Sequence, residues 1–223
     1  MSIASKNKES IEIAVTVLSI VTVAILLKQF VFSNTARLKR QAKKDLRKWK
    51  GKTETSPDVS KYLVDYWKKV GIDFSEKDMQ SSSVQSSYPW SSAYIGHLID
   101  SAGYKNFNSK STHSAYVVEA KGNRDKNLKK SYWAFKPSEG KKVQIGDVLV
   151  QGRAGTKPNL DTLNSGVLSH GDIVVDIIKE GGSKYAVLQG GNVSNTVKRD
   201  KTKLKDDGTV LNTVYFAQLK YVK

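Results

Sequence analysis

The chain has 223 residues, with 37 Lys or Arg against 21 Asp or Glu, and so carries a formal net charge of +16 at pH 7. Its 39% apolar and 26% charged content are ordinary for a globular protein, and the length allows about one domain once a non-globular N-terminus is set aside. There is no cysteine, which excludes disulfides, thiolate zinc sites and a Cys nucleophile; three histidines without a His-Glu-x-x-His helix give no reason to expect a metal or an organic cofactor.

The basic excess is concentrated early, because residues 1–57 hold 12 Lys or Arg and 4 Asp or Glu. Residues 1–10 form a short tail. From Ile13 to Leu27 no charge occurs, and the run from Ile11 to Phe32 has about the length of a membrane-spanning helix, with Lys28 placed to reach the head groups. A single-pass anchor at 11–32 is expected ahead of a cleaved signal peptide, for which Ser33 to Ala36 is a poor cleavage site, and ahead of a buried core helix. Residues 33–56 then form a basic juxtamembrane helix or linker. Arg37 to Lys52 carries nine cations and one acid, with Leu38, Ala42, Leu46 and Trp49 in a thin apolar stripe. That pattern suits a helix lying on anionic lipid and equally suits a solvated spacer.

The remaining chain, 57–223, reads as one α+β domain. Ser56 and Pro57 start an amphipathic helix through Val59, Leu63, Tyr66, Trp67 and Val70, ended by Gly71. Residues 81–87 read as a polar loop. Pro89 leads into a second helix with Ala93, Ile95, Leu98 and Ile99 on its apolar face, which places Ser91 and Ser92 at its N-terminus. Free backbone N–H groups there favour developing negative charge, although a serine at that position serves equally as an N-cap. Ser111 or Thr112 opens another short helix to Gly122 with His113 in its first turn, and a Lys-rich loop follows. From Tyr132 the pattern is strand-like. In residues 169–180 alternation puts Ile173, Val175 and Ile177 on one face and His170, Asp172 and Val174 on the other. Gly181-Gly182 turns into a returning strand that ends at Gly190-Gly191-Asn192, and residues 210–222 supply a final strand or two. Helices first and an antiparallel sheet after them define an α+β arrangement.

The stretches Tyr66-Trp67, Pro89 to Tyr104, His113-x-x-Tyr116, Gly146-Asp147-Val148 with Arg153, Ser169 to Val175 and Gln189 to Val197 occur in an order that resembles the NlpC-type and CHAP-type papain-like cell-wall peptidases, and within them a bacterial and phage domain family of unknown function. The resemblance implies a papain-like fold with helices packed on the sheet. It places the nucleophile at Ser91, where the superfamily normally has Cys, the general base at His170, and the orienting polar residue at Asn192, with Gln189 as substitute. Trp90, His113, Arg153 and Asp172 become candidates for lining the substrate cleft; His97 is expected to be structural.

Two functions are compatible with this pattern. One is a membrane-anchored amide hydrolase acting on peptidoglycan peptides. The other is a catalytically inactive binding or structural module of the same fold, associated with a membrane or virion. Topology divides the expectations further. Lys and Arg are denser after the apolar run than before it, which places the domain in the cytoplasm by the positive-inside rule, whereas the resemblance implies the cell envelope or a virion. Anionic lipids and peptidoglycan are the expected partners. Non-specific, salt-dependent nucleic-acid binding follows from the charge, without a recognition motif.

Overall fold

The computed structural model describes residues 33–153 and 155–223, with positions 15, 16, 18, 19 and 22 before them. The expected tail at 1–10 and nearly all of the expected anchor at 11–32 lie outside the described residues. Among the described residues no helix is long and apolar enough to cross a membrane.

From residue 33 onward the helices are α1 (Asn34–Lys48), α2 (Pro57–Lys68), α3 (Glu76–Met79), α4 (Ser82–Ser87), α5 (Ser91–Ser101) and α6 (His113–Asp125). The strands are β1 (Ser131–Phe135), β2 (Val148–Gly152), β3 (Ser169–Glu180), β4 (Ser183–Gly190), β5 (Lys198–Leu204) and β6 (Tyr215–Val222). They form one six-stranded antiparallel sheet in the order β1-β6-β2-β3-β4-β5. The α+β expectation holds.

Strand alternation sorts the sheet's side chains into two layers. Val148, Val150, Ile173 and Val175 join the helices in the main core, while Leu149, Val174, Ala186 and Leu188 form a second cluster with Leu204 and Val210. Gly181 and Gly182 turn β3 into β4 at φ of 54° and 75°, which suits a tight hairpin. The segment expected as a polar loop contains α4, capped by the Ser81 hydroxyl on the Val84 N–H.

The basic segment 33–56 is the main revision. It is part of the folded unit, and its apolar stripe faces the domain: Leu38 and Ala42 are fully buried and Trp49 is 1% exposed. The Trp49 indole stacks on Trp90 with centroids 4.6 Å apart, and the Ala42 carbonyl accepts from Gln189 Nε2 at 2.9 Å. Arg37 Nε donates to the Ala102 carbonyl at 2.7 Å, and the single acid of the helix, Asp45, is buried with its Oδ2 3.4 Å from His97 Nε2. Leu46, the remaining member of the stripe, is partly buried against the same core, so the stripe is turned to the domain and not to lipid.

Candidate functional site

The site is built on two helix starts. Trp90 occupies the N-cap position of α5 and makes no side-chain cap, so Ser91 is the first helical residue. Its hydroxyl is not used as a cap either: Ser91 Oγ lies 2.7 Å from His113 Nε2, and both residues are 3% exposed. The neighbouring Ser92 donates to the Lys110 carbonyl at 2.8 Å. The first N–H groups of α5 thus lack a side-chain partner at their own N-cap, at the end of the helix where partial positive charge collects.

His113 is placed by α6. The Thr112 hydroxyl caps that helix by accepting from the Ala115 N–H, which puts His113 at its first position and Tyr116 one turn later on the same face. The Tyr116 hydroxyl hydrogen-bonds His113 Nδ1, so both ring nitrogens are engaged. Burial holds the His113 pKa well below its ordinary 6.5, and the nearby His170 and Arg153 push the same way. Burial, with a smaller contribution from the Asp172 charge, pushes the Tyr116 hydroxyl well above 10. The result is a neutral imidazole between two hydroxyls. With its proton on Nδ1, the ring donates to Tyr116 Oη and leaves the Nε2 lone pair for the Ser91 hydroxyl; the other tautomer reverses both bonds.

This burial has a pH signature. A histidine with a depressed folded pKa stabilises the fold above its unfolded value and withdraws that stability as pH falls through the folded value. Acidification below pH 6.5 is therefore expected to lower the unfolding free energy, and His113→Gln is expected to flatten that part of the profile. Urea unfolding of both chains between pH 7 and the acid limit of the fold reads the difference.

His170 belongs to an adjoining cluster. Arg153 Nη2 lies 2.9 Å from His170 Nδ1, and His170 Nε2 lies 3.0 Å from Asp172 Oδ1. Arginine only donates, so Nδ1 accepts and Nε2 carries the proton given to Asp172. The His170 and His113 rings meet edge to face, 5.4 Å between centroids. Strand alternation explains why Ser91 meets His113 and not His170. Gly171, between His170 and Asp172, turns its bare Cα toward the helices, where a Cβ would lie 2.5 Å from Tyr116 Oη and 2.8 Å from His113 Nδ1. Asp172, on the opposite pleat, sits against Gly190, where any Cβ would collide with its carboxylate. Gly171→Ala is accordingly expected to lose about 1–3 kcal/mol by overpacking, whereas Gly122→Ala, with nothing within 4 Å of the added atom, is expected to keep or raise stability. Chemical denaturation compares the two.

The expected catalytic set is thus only partly brought together. Ser91 and His170 are near one site, but the hydrogen-bond partner of Ser91 is His113. Asn192 lies half-buried in the turn after β4 at φ 55°, and both nitrogens of His170 are bonded elsewhere, so Asn192 does not orient that ring. Its substitute Gln189 is buried in the core, donating to Tyr94 Oη at 2.6 Å and accepting from Arg199 Nε at 2.8 Å. Trp90 does not wall a cleft: it is fully buried, and its Nε1 donates to Glu54 Oε2 at 2.8 Å. Arg153 turns to His170, while the Asp147 carboxylate is bonded by Lys220 and Gln218. His97 is structural as expected, bound against Asp45. Tyr116 was visible in the sequence only as the end of a His-x-x-Tyr spacing, with no role attached. A groove of about 770 Å³ opens at the same end of the sheet, lined by Gln151, Gly152, Thr156 and Tyr215; Gln151 is the β2 partner of His170.

Comparison with known families gives one match. The model of a family described as an uncharacterized protein conserved in bacteria, DUF2272, matches residues 59–220. No curated protein and no solved structure matches the chain.

Proposed function

The chain belongs to the DUF2272 family, and on that premise we propose that it is an amide hydrolase of papain-like, NlpC-type architecture with Ser91 as nucleophile and His113 as base. The observation that carries this reading is the 2.7 Å contact between a non-capping serine at a helix start and a buried neutral imidazole. A serine hydroxyl is a weak nucleophile until a base takes its proton, and the base works only if a third group fixes its ring. Tyr116 supplies that third group.

In the proposed reaction Ser91 Oγ attacks the amide carbon while its proton passes to His113 Nε2. The N–H groups at the start of α5 receive the developing oxyanion. The amine then leaves with the proton from Nε2, and water, deprotonated at the same nitrogen, releases the acid and restores Ser91. His170, held by Arg153 and Asp172, positions the His113 ring from its edge. The segment at 11–32 tethers the domain to a membrane, and peptidoglycan stem peptides are the substrate class suggested by the motif order. A second reading, a binding or structural module of the same fold, is favoured by the 3% exposure of both Ser91 and His113, which leaves little room for a large substrate without local opening.

Incubation of the full chain with peptidoglycan and isolated stem peptides, beside Ser91→Ala, His113→Ala and His170→Ala, separates the two. New amines seen by mass spectrometry with the parent and missing with Ser91→Ala support hydrolysis; a folded parent that releases nothing supports the module.

A further inference from the structure

We infer that the outward face of α1 is a docking surface for an anionic bilayer, a rigid cationic plate presented by the folded domain. The proposal rests on the tethering reading above for the domain's nearness to a membrane, and on the structure for the plate itself.

Arg40, Lys43, Lys44, Arg47 and Lys50 are exposed. The first four recur at the three- and four-residue spacing that makes a single helix face, about 10 Å long at 1.5 Å per residue. The cations on the flanks of the helix have acids to meet: Lys39 pairs with Asp176 at 2.8 Å, and Lys48 lies 3.4 Å from Asp45. None of the five outward residues has an acid within ion-pair distance among the described residues. The only acid of α1 is turned into the core, so nothing on the helix offsets the outward charge.

The opposite face explains why the plate is fixed. Leu38, Ala42 and Trp49 are locked into the core, and Arg37 is bonded to the Ala102 carbonyl. The helix therefore cannot roll to bury its apolar stripe in lipid, and its contribution to binding is electrostatic, at the head groups. The helix begins at Asn34, two residues after the apolar run at 11–32 ends, so a tethered domain holds the plate close to the surface. A basic residue near an anionic surface adds roughly fivefold in affinity, so the face is large enough to set the orientation of the whole domain. That orientation fixes which way the Ser91 end of the sheet is presented.

The absence of cysteine makes the test clean, since Lys50→Cys introduces a single labelling site. The full chain, labelled there with a fluorophore, is reconstituted in mixed phosphatidylglycerol–phosphatidylcholine vesicles and in phosphatidylcholine alone, both containing a headgroup-attached quencher. Flotation reports attachment and quenching reports approach of α1. The expected result is flotation with both lipids, at least twofold stronger quenching on the anionic vesicles, and loss of that excess in Arg40→Gln/Lys43→Gln/Lys44→Gln/Arg47→Gln and in high salt. Flotation on anionic vesicles alone, abolished by the same variant, supports the plate and overturns the tether. Flotation with equal quenching on both lipids overturns the plate and leaves the tether standing. No flotation on either overturns both. The glutamine set keeps helix propensity and touches no buried contact, so its near-native circular dichroism is the folding control.

Discussion

Ser91→Ala is expected to remove measurable amide hydrolysis, and His113→Ala to lower kcat by about 10²–10⁴, the usual contribution of a positioned general base. The two losses are not additive, because nucleophile and base act as one unit, and the double variant is expected to resemble Ser91→Ala. His170→Ala is expected to be milder. Its ring bonds Arg153 and Asp172 and reaches His113 only edge to face, so its loss loosens the base without removing it. This order of effects distinguishes the geometry from the assignment that sequence resemblance alone suggests, in which His170 takes the proton. The same geometry fixes the pH profile. With the His113 pKa held below its ordinary 6.5, the acid limb of kcat/KM is expected below pH 6.5. Tyr116→Phe, which removes the bond to Nδ1, is expected to change kcat more than KM.

Trp49→Ala is expected to cost about 3–5 kcal/mol, the range for truncating a large aromatic in a packed core. Trp49 is 1% exposed, stacks on Trp90 at 4.6 Å and donates to Tyr66 Oη at 3.3 Å. Trp90 is the residue before Ser91, so the same stack supports the start of α5. A chain beginning at residue 53 loses Leu38, Ala42 and Trp49 together and leaves Trp90, Tyr94 and Gln189 facing water; it is expected not to fold. Thermal unfolding of Trp49→Ala and circular dichroism of the truncated chain check both. If residues 33–52 were a separate spacer, neither change would alter stability.

How far the fold could be read from the residues depended on where each pattern's partner lay. The α2 periodicity, the Pro89 entry to α5, the Thr112 cap and the Gly181-Gly182 hairpin are local signals, and each element stands where its signal places it. The stripe at Leu38, Ala42 and Trp49 was equally legible as a pattern. Its proximity to the apolar run suggested lipid, whereas the surface it covers is supplied by residues more than 40 positions away, such as Trp90 and Gln189. Strand β5 escaped notice for a different reason. Lys198, Arg199, Lys201 and Lys203 dominate it, and only Thr202 and Leu204 are buried, as befits an edge strand whose lysines discourage further pairing.

The candidate site shows the same division. Ser91 at a helix start and His113 at the next were both legible, but no spacing says that two helix starts 22 residues apart meet. The resemblance to papain-like peptidases pointed to His170 because it sits on a strand in the expected order. In the structure Gly171 faces the helices, its missing side chain leaves room for His113 and Tyr116, and the histidine beside Ser91 is His113.

The most direct test needs no substrate. A serine-directed fluorophosphonate reacts only with a hydroxyl whose proton is taken by a neighbouring base, and intact-mass measurement counts the adduct. One adduct on the parent, mapped to Ser91 and absent from Ser91→Ala and His113→Ala, is the predicted result. A folded parent that stays unmodified, or an adduct that survives in His113→Ala, contradicts a Ser91–His113 nucleophile and base.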